Sequence, residues 1–234
     1  MTLKYIYHSC FIAEDDNAIL VFDYWKDTPD ELLGRTLLRT QKQIYFIVSH
    51  FHEDHYNESI LKWRNTNGKD PIYLISYDTV KRRHIDKKQP AAILHPGEHY
   101  EDNFVKLQAY RSTDVGISIL VTLNDGTTLF HTGDLNNWYF PEDYSEHIKI
   151  TADEMEGMYL SIIKNIYTDI KEIDHVMFPV DPRLGKEAMR GPIQWLSKIE
   201  TKHFYPMHYW EDKEFVAKNI EAIKEIFPKV DFVI

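Results

Sequence analysis

The sequence is poor in the residues and segments on which several classes of protein depend. It has one cysteine, Cys10, among 234 residues, so an internal disulfide is impossible and a reducing compartment is expected. No apolar run approaches the roughly 18 residues that span a bilayer. The start MTLKYIYHSC also lacks the apolar core of a secretory leader. We therefore expect a cytoplasmic protein with no membrane partner.

Positive charge is scarce as well. Lys and Arg together number 27 against 37 Asp and Glu, which gives a formal charge of -10. Proteins that hold nucleic acid neutralise its phosphates with basic clusters, so no nucleic-acid partner is expected. The nine glycines form neither a GxSxG nor a GxxxxGK pattern, which argues against a nucleophilic serine and a phosphate-binding loop. A small-molecule substrate is the expected partner, and a homo-oligomer stays open.

Hydrophobic residues are abundant, at 43% of the chain, and no segment rich in Pro, Gly or Ser divides it. We therefore expect a single domain over residues 1–234. Strands and helices are predicted in both halves of the chain. This mixture favours an α/β protein in which two sheets pack face to face with helices outside, a four-layer αββα sandwich.

Hydrophobic periodicity and turn residues place the individual elements. Strands are predicted within residues 4–25 and over 44–48, 71–76, 91–95, 103–111, 116–123, 127–133, 175–180, 203–207 and 231–234. Helices are predicted from an N-cap at Thr28 to about Thr40, from about Asn57, around 79–84, and near 152–171, 186–199 and 213–226. Asn124, Asp125 and Gly126 predict a tight hairpin between two of the strands.

The segment IVSHFHEDHY, residues 47–56, places three histidines and two acidic residues directly after an apolar run. Imidazole nitrogens and carboxylates at a buried strand end are costly to fold unless protons, donors or a metal satisfy them. His50 and His52 are two residues apart, so on an extended segment they can bind one cation. Asp54 and His55 follow the turn and can reach a second cation. A solvated polar loop is the alternative interpretation.

The order His50, His52, Asp54, His55 resembles the H-x-H-x-D-H signature of the metallo-β-lactamase superfamily. The resemblance covers nearly the whole chain and implies the αββα fold and a hydrolase with two divalent metal ions. The segment YHSCFI and the motif spacing look most like the branch that includes L-ascorbate-6-phosphate lactonase. Members of that branch cleave varied lactones, amides and phosphodiesters, so the resemblance implies no single substrate.

Three further motifs carry the resemblance. In LFHTGDLNNW, the carboxylate of Asp134 is implied as the bridge between the two metals. In FYPMHYW, His208 is implied as the ligand that closes the second site. In VFDYW, Asp23 is implied as a group that orients the metal-binding loop.

One position departs from the family pattern. The family usually supplies a third His for the first metal between the signature and the Gly-Asp motif, but no His lies between His99 and His131. Asp114, in AYRSTDVGISIL, stands at the matching place. We expect Asp114 to be the missing ligand, because a carboxylate that faces two imidazoles is tolerable only with a cation between them. A turn-capping role before Gly116 is the alternative.

Several neighbours of these positions are candidates for supporting roles. His131 is expected to support the site from behind, with a ligand role left open, and His8 either borders the site or is a core histidine. A substrate wall or ordinary core packing is predicted for four aromatic residues: Trp138, Tyr139, Tyr209 and Trp210. An anionic substrate could be held near a helix start by Asp181, Arg183 and Lys186. A surface ion pair is the alternative for Arg183.

The residues, taken with the resemblance, imply a hydrolase in which a hydroxide that bridges two divalent ions cleaves a small ester, lactone, amide or phosphodiester. Asp54 is the candidate catalytic residue, because it can take the proton. Zinc or manganese is expected, with iron as a further candidate, since a carboxylate at position 114 favours harder ions. Two alternatives stay open: an iron-dependent redox protein, and a metal-binding protein without turnover.

Overall fold

The computed structural model describes residues 1–63, 69–140 and 150–234. Its strands are β1 Thr2–Tyr7, β2 Cys10–Glu14, β3 Ala18–Phe22, β4 Gln43–Val48, β5 Ile72–Ser76, β6 Ala92–Leu94, β7 His99–Glu101, β8 Val105–Arg111, β9 Ile117–Leu123, β10 Thr128–His131, β11 Glu172–Pro179, β12 Glu200–Met207 and β13 Asp231–Phe232. Its α-helices are α1 Leu32–Arg39, α2 Tyr77–Arg82, α3 Ala152–Asp169, α4 Arg190–Leu196 and α5 Lys213–Lys224.

The described strands form two mixed sheets. The first has the order β1-β2-β3-β4-β5-β6, and the second has the order β13-β12-β11-β10-β9-β8-β7. In the first sheet β1, β2 and β3 pair antiparallel, and the strands from β3 to β6 pair parallel. In the second, β7 to β10 pair antiparallel and β10 to β13 pair parallel. Each sheet therefore consists of an antiparallel half and a parallel half.

Side chains alternate between two hydrophobic cores along each buried strand. In β3, Leu20 and Phe22 pack between the sheets, whereas Ile19 and Val21 pack beneath α1 and α2. The outer face of the second sheet packs in the same way against α3, α4 and α5. The result is four layers, helix, sheet, sheet and helix, which confirms the predicted αββα sandwich.

The first helix begins later than the sequence predicts. α1 starts at Leu32 and not directly after Thr28, and Glu31 adopts a left-handed backbone with φ 56°. The expected capping chemistry is nevertheless present: Thr28 Oγ1 accepts a hydrogen bond from the Leu32 amide at 2.9 Å, and Asp27 Oδ1 accepts one from Leu33 at 2.9 Å. The predicted start of the helix was wrong because residues 28–31 form a separate turn, in which the Glu31 amide donates to the Thr28 carbonyl.

Other predictions are wrong in part. The helix expected from about Asn57 is a 3-10 turn over Glu58–Lys62, and residues 64–68 lie outside the described part of the chain. The helix predicted over 186–199 is divided, because 3-10 turns over Pro182–Glu187 are interrupted at Gly185, with φ 54°, before α4 begins. β7 was not predicted, since three residues with only Tyr100 half-buried are too short a segment to show a periodicity.

Among the described helices, none has both the length and the apolar character needed to cross a membrane.

Candidate metal centre

The predicted ligands all follow the carboxyl end of a strand, at one edge of the sandwich. β1 and β8 each lie two antiparallel pairings away from a parallel strand, so they run in the same direction as the parallel halves. The strand ends that meet there carry the side chains of His8, Asp23, His50, His52, Asp54, His55, Asp114, Asp134, Asp181 and His208. Loops at the carboxyl ends of parallel strands are the usual place for a site in such sheets.

A first cluster consists of His50, His52, Asp114 and Asp134, whose potential ligand atoms lie within 4.8 Å of one another. His50 Nε2 is 3.1 Å from His52 Nδ1 and 3.5 Å from Asp134 Oδ2. Asp114 Oδ2 lies 3.4 Å from His52 Nδ1. The carboxylate that replaces the expected histidine therefore faces the imidazole pair.

A second cluster consists of His8, Asp54, His55 and His208, within the same limit. Asp54 Oδ2 lies 3.5 Å from His208 Nε2, 3.9 Å from His55 Nε2 and 3.2 Å from His8 Nε2. Atoms that share a tetrahedral cation at about 2.0–2.2 Å are roughly 3.3 Å apart. The spacing of both clusters fits that requirement.

Asp134 connects the two clusters. Its Oδ2 faces His50 at 3.5 Å, and its Oδ1 lies 3.1 Å from His55 Nε2 and 3.6 Å from His208 Nε2. One carboxylate that presents an oxygen to each cluster is the arrangement of a bridging ligand. Asp134 follows β10 through the turn Thr132–Gly133, and only 8% of its side chain is exposed.

The hydrogen bonds behind the clusters fix the tautomer of three histidines. His55 Nδ1 donates to Asp23 Oδ2 at 2.7 Å, and His208 Nδ1 donates to Asp181 Oδ2 at 2.9 Å. His50 Nδ1 donates to Ser49 Oγ at 2.9 Å, and that hydroxyl donates to Asp23 Oδ2 at 2.6 Å. In each case Nδ1 is engaged behind the cluster and Nε2 faces it. This is the carboxylate-histidine pattern that supports metal ligands.

Some buried polar atoms in the clusters have neighbours but no hydrogen-bond partner. Within the described part of the chain, His55 Nε2 and Asp134 Oδ1 are buried and make no hydrogen bond. Leaving such atoms unsatisfied costs free energy, which a bound cation would recover. The donor set of imidazole and carboxylate suits zinc, manganese or iron. The residues present therefore fit a pair of divalent cations.

Burial and neighbouring charges shift the pKa values of the candidate ligands in different directions. Burial alone would raise the pKa of Asp134, but the imidazoles of His55, His208 and His50 hold it well below its usual value. Burial would lower the pKa of His208, but Asp134 and Asp181 raise it to about 9. Burial dominates at His50, where the pKa falls to about 3. Partial desolvation and then the charge of Asp134 raise the pKa of Asp114.

The peptide between His50 and His52 is held from both sides by residues that the sequence analysis missed. Asp78 Oδ2, on α2, accepts a hydrogen bond from the Phe51 amide at 3.2 Å, and Arg83 Nε donates to the Phe51 carbonyl at 2.9 Å. The available signal was position: Asp78 lies in the first turn of α2, directly after β5, which pairs with β4, the strand that precedes the metal loop.

Gly116 brings the Asp114 turn against this loop. A Cβ atom at Gly116 would lie 2.2 Å from the Ser49 carbonyl oxygen and 2.5 Å from His50 Cβ, and the φ angle of 76° favours glycine. The amide of Ile117 also donates to the Ser49 carbonyl at 3.0 Å. Glycine at this position is therefore what permits Asp114 to reach the first cluster.

His131 lies behind the ligands rather than among them. Its Nε2 donates to the Ser9 carbonyl at 2.8 Å, its Nδ1 accepts from the Gly133 amide at 3.1 Å, and its ring stacks on Phe22. Its Nδ1 is 3.8 Å from Asp23 Oδ2. Both ring nitrogens are engaged, so the structure gives His131 no free atom for a metal.

A cleft of about 410 Å³ opens over the clusters. Its lining residues are His52, Asp54, Thr113, Asp114, Asp134, Trp138, Phe140, Met155, Arg183, His208 and Trp210. The Arg183 guanidinium lies 5.4 Å from the ring centre of Trp210 and 6.0 Å from that of Trp138. The cleft thus combines a cationic group and aromatic walls with the metal-binding edge.

The other expected wall residues lie elsewhere. Tyr139 donates to Asp153 and lies under Arg190, and Tyr209 is buried against Tyr5. Asp181 does not face the cleft as a substrate ligand, because its carboxylate binds both His208 and Arg183. Lys186 is exposed and does not line the cleft.

His8 is the ligand-type residue that the sequence left undecided and that the structure brings into the second cluster. Its position after β1 was the available signal, since β1 runs parallel to β3 and delivers the turn to the same edge. Asp181 was likewise missed as the partner of His208. It lies two residues after β11, which pairs with β12, the strand that delivers His208.

Residues 2–150, more than half of the chain, match the family described as Beta-lactamase superfamily domain. A metallo hydrolase from the archaeon Ignicoccus hospitalis shares the fold, with 16% identity over 99% of this chain and 93% of that chain and a TM-score of 0.64. A possible metal-dependent hydrolase from Veillonella parvula matches with 14% identity, coverage of 99% and 96%, and a TM-score of 0.58.

A third structure of the same fold is CmlA, a diiron beta-hydroxylase from Streptomyces venezuelae. It shares 11% identity over 99% of this chain and 52% of that chain, with a TM-score of 0.61, so the chain spans about half the length of CmlA. Identities this low establish a shared fold and not a shared reaction. Comparison with curated proteins finds no match.

Proposed function

Because the chain belongs to the beta-lactamase superfamily, we propose that it is a metal-dependent hydrolase in which each cluster holds one divalent cation. The first cluster would hold one ion through His50, His52, Asp114 and Asp134. The second would hold the other through Asp54, His55 and His208, with Asp134 shared. The observation that carries the proposal is the position of Asp134, which presents one oxygen to each cluster.

Divalent cations held there would supply Lewis acidity, which makes water a nucleophile near neutral pH and polarises a carbonyl or phosphoryl oxygen. The remaining chemistry belongs to the protein. Asp54 lines the cleft with 19% of its side chain exposed. Burial would raise its pKa, but hydrogen bonds from His208 and His8 hold it well below the usual value. Asp54 therefore stays ionised, as its proposed role as a cation ligand requires.

The cleft suggests the kind of substrate. Trp138 and Trp210 form apolar walls, and the guanidinium of Arg183, which is paired with Asp181, lies within 6.0 Å of both ring centres. A volume of about 410 Å³ suits a small molecule. We propose a compact ester, lactone, amide or phosphodiester. The resemblance of YHSCFI to the lactonase-like branch makes lactones the first class to test.

The test is a hydrolysis assay on generic lactone, ester, amide and phosphodiester substrates. Wild type is measured after chelation and after restoring zinc or manganese, and Asp134→Asn serves as the matched inactive control. We expect turnover that chelation abolishes, that metal restores, and that the variant lacks. Activity that survives complete metal removal, or that Asp134→Asn retains, would show that the metal centre does not carry out the reaction.

An iron-dependent redox function is the second candidate, and the donor set of the first cluster favours it. Two of its four donors, Asp114 and Asp134, are carboxylates, which suit iron better than an all-histidine set would. The likeness to CmlA adds only that this fold accommodates iron chemistry elsewhere. Purified protein with bound iron, a visible absorption band and no hydrolysis of the panel would favour this candidate.

A further inference from the structure

His8 has an unusual backbone for a histidine in an ordinary core. It follows β1 in a left-handed conformation with φ 56°, and only 1% of it is exposed. The Tyr5 hydroxyl accepts a hydrogen bond from the His8 amide at 2.7 Å, and the His8 carbonyl accepts one from the His208 amide at 3.0 Å. His208 is left-handed too, with φ 60°. Two strained residues from different sheets are therefore joined directly, which fixes His8 against a predicted metal ligand.

The side chain of His8 points at the other members of the second cluster. Its Nε2 lies 3.2 Å from Asp54 Oδ2, the same oxygen that faces His55 and His208. Its ring centre is 4.2 Å from that of His208 and 4.5 Å from that of Trp210. His8 is therefore in direct contact with Asp54 and His208, two of the residues that would surround the cation.

A core histidine would have both ring nitrogens satisfied, as His131 does. His8 does not meet that requirement: within the residues that the structure describes, its buried Nδ1 has no hydrogen-bond partner. Its Nε2 has only the carboxylate of Asp54. Packing and backbone bonds, rather than a hydrogen bond to Nδ1, set the direction of the ring.

We propose that His8 is an additional protein ligand of the cation in the second cluster, beside Asp54, His55, His208 and Asp134. This inference rests on the proposed function, because it requires a cation in that cluster. The second site then has three imidazoles and two carboxylates, and the first has two of each. The two sites therefore differ in donor chemistry, and the second should prefer the more nitrogen-seeking metal.

The test uses cobalt(II) as the probe, because its visible absorption reports the number and kind of ligands. His8→Gln keeps a hydrogen-bond donor near the position of Nε2 but removes the imidazole. His84→Gln is the matched control, since His84 is also left-handed, with φ 53°, and is exposed away from the clusters. The metal-free melting temperature of each variant shows whether the fold is retained.

We expect His8→Gln to weaken binding of one of two cobalt ions by at least roughly the 10–100-fold seen when supporting groups are lost. The absorption spectrum of that ion should also change, and His84→Gln should match wild type. A weaker ion with an unchanged spectrum would mean that His8 only positions Asp54, and this overturns the proposal. An unchanged affinity and spectrum would overturn it as well.

A second variant covers the case in which His8→Gln fails to fold. His8→Gly relieves the left-handed backbone and leaves a space that added imidazole can fill. Recovery of the wild-type cobalt spectrum by imidazole would support the ligand role, and no recovery would oppose it. If wild type itself binds no second ion, the proposed function fails. If it binds two and both variants behave as wild type, only the role of His8 fails.

Discussion

The two clusters share Asp134 but differ in how firmly the protein holds them. In the first cluster, the side chains of His52 and Asp114 are 40% and 38% exposed. In the second, His55 is fully buried and His208 is 2% exposed. The first cluster therefore has the more exposed ligands, although Asp54 and His208 of the second cluster also line the cleft.

The difference originates in the groups behind the ligands. His55 and His208 each donate to a buried carboxylate, Asp23 and Asp181. Among the described residues, no carboxylate supports His52 from behind, and Asp114 stands on a turn. Prearranged ligands lose less conformational freedom when a cation binds. We infer that the second site binds more tightly and that the first site is where substrate gains access.

The largest effect is expected from replacing Asp134, the residue that the two clusters share. Asp134→Asn removes the charge that faces both sites while keeping the shape of the side chain. We expect the bound metal to fall from two ions per chain towards none, with loss of hydrolysis. Elemental analysis after gel filtration measures the stoichiometry. Asp125→Asn, on the exposed hairpin turn, is the control and should keep both ions.

Asp114→Ala should affect the first cluster and leave the second unchanged. We expect one ion per chain to be lost together with most turnover, while the second site and the fold remain, because Asp114 contacts only the first cluster. Asp114→His should restore the lost ion and shift the preference towards zinc. If Asp114→Ala keeps two ions and full turnover, Asp114 only caps its turn.

Site residues that are adjacent in sequence could be predicted, whereas contacts between distant segments could not. The signature from His50 to His55 is contiguous, so its chemistry was readable from spacing, and the apolar run over residues 44–48 indicated a buried strand directly before it. The partner of His208 was not readable in this way. Asp181 is 27 residues away and reaches His208 only because β11 and β12 are neighbours.

Asp181→Asn should act on the second cluster alone. The amide can still accept a hydrogen bond from His208 but does not carry the charge that polarises its ring. We expect the affinity of the tighter site to fall by roughly 10–100-fold, with little change at the other site. Competition with a chromophoric chelator measures both constants. Equal weakening of both sites would show that the clusters are not separately supported.

The smallest effect is expected at the loop that carries His50 and His52. Asp78→Asn weakens the acceptor for the Phe51 amide without touching a ligand. We expect a loss of a few-fold in affinity at the first site and a loss of stability of about 1 kcal/mol, the usual magnitude for one hydrogen bond. The same chelator competition, together with urea unfolding of the metal-free protein, checks this. A change confined to the second site would contradict it.

The most direct measurement of the central claim is a calorimetric titration of metal-free protein with zinc or manganese. Two cations held by unequal clusters around Asp134 predict two binding steps that total two ions per chain, the tighter of which survives in Asp114→Ala. A single step that ends at one ion, or a tight step that disappears with Asp114, would contradict the account.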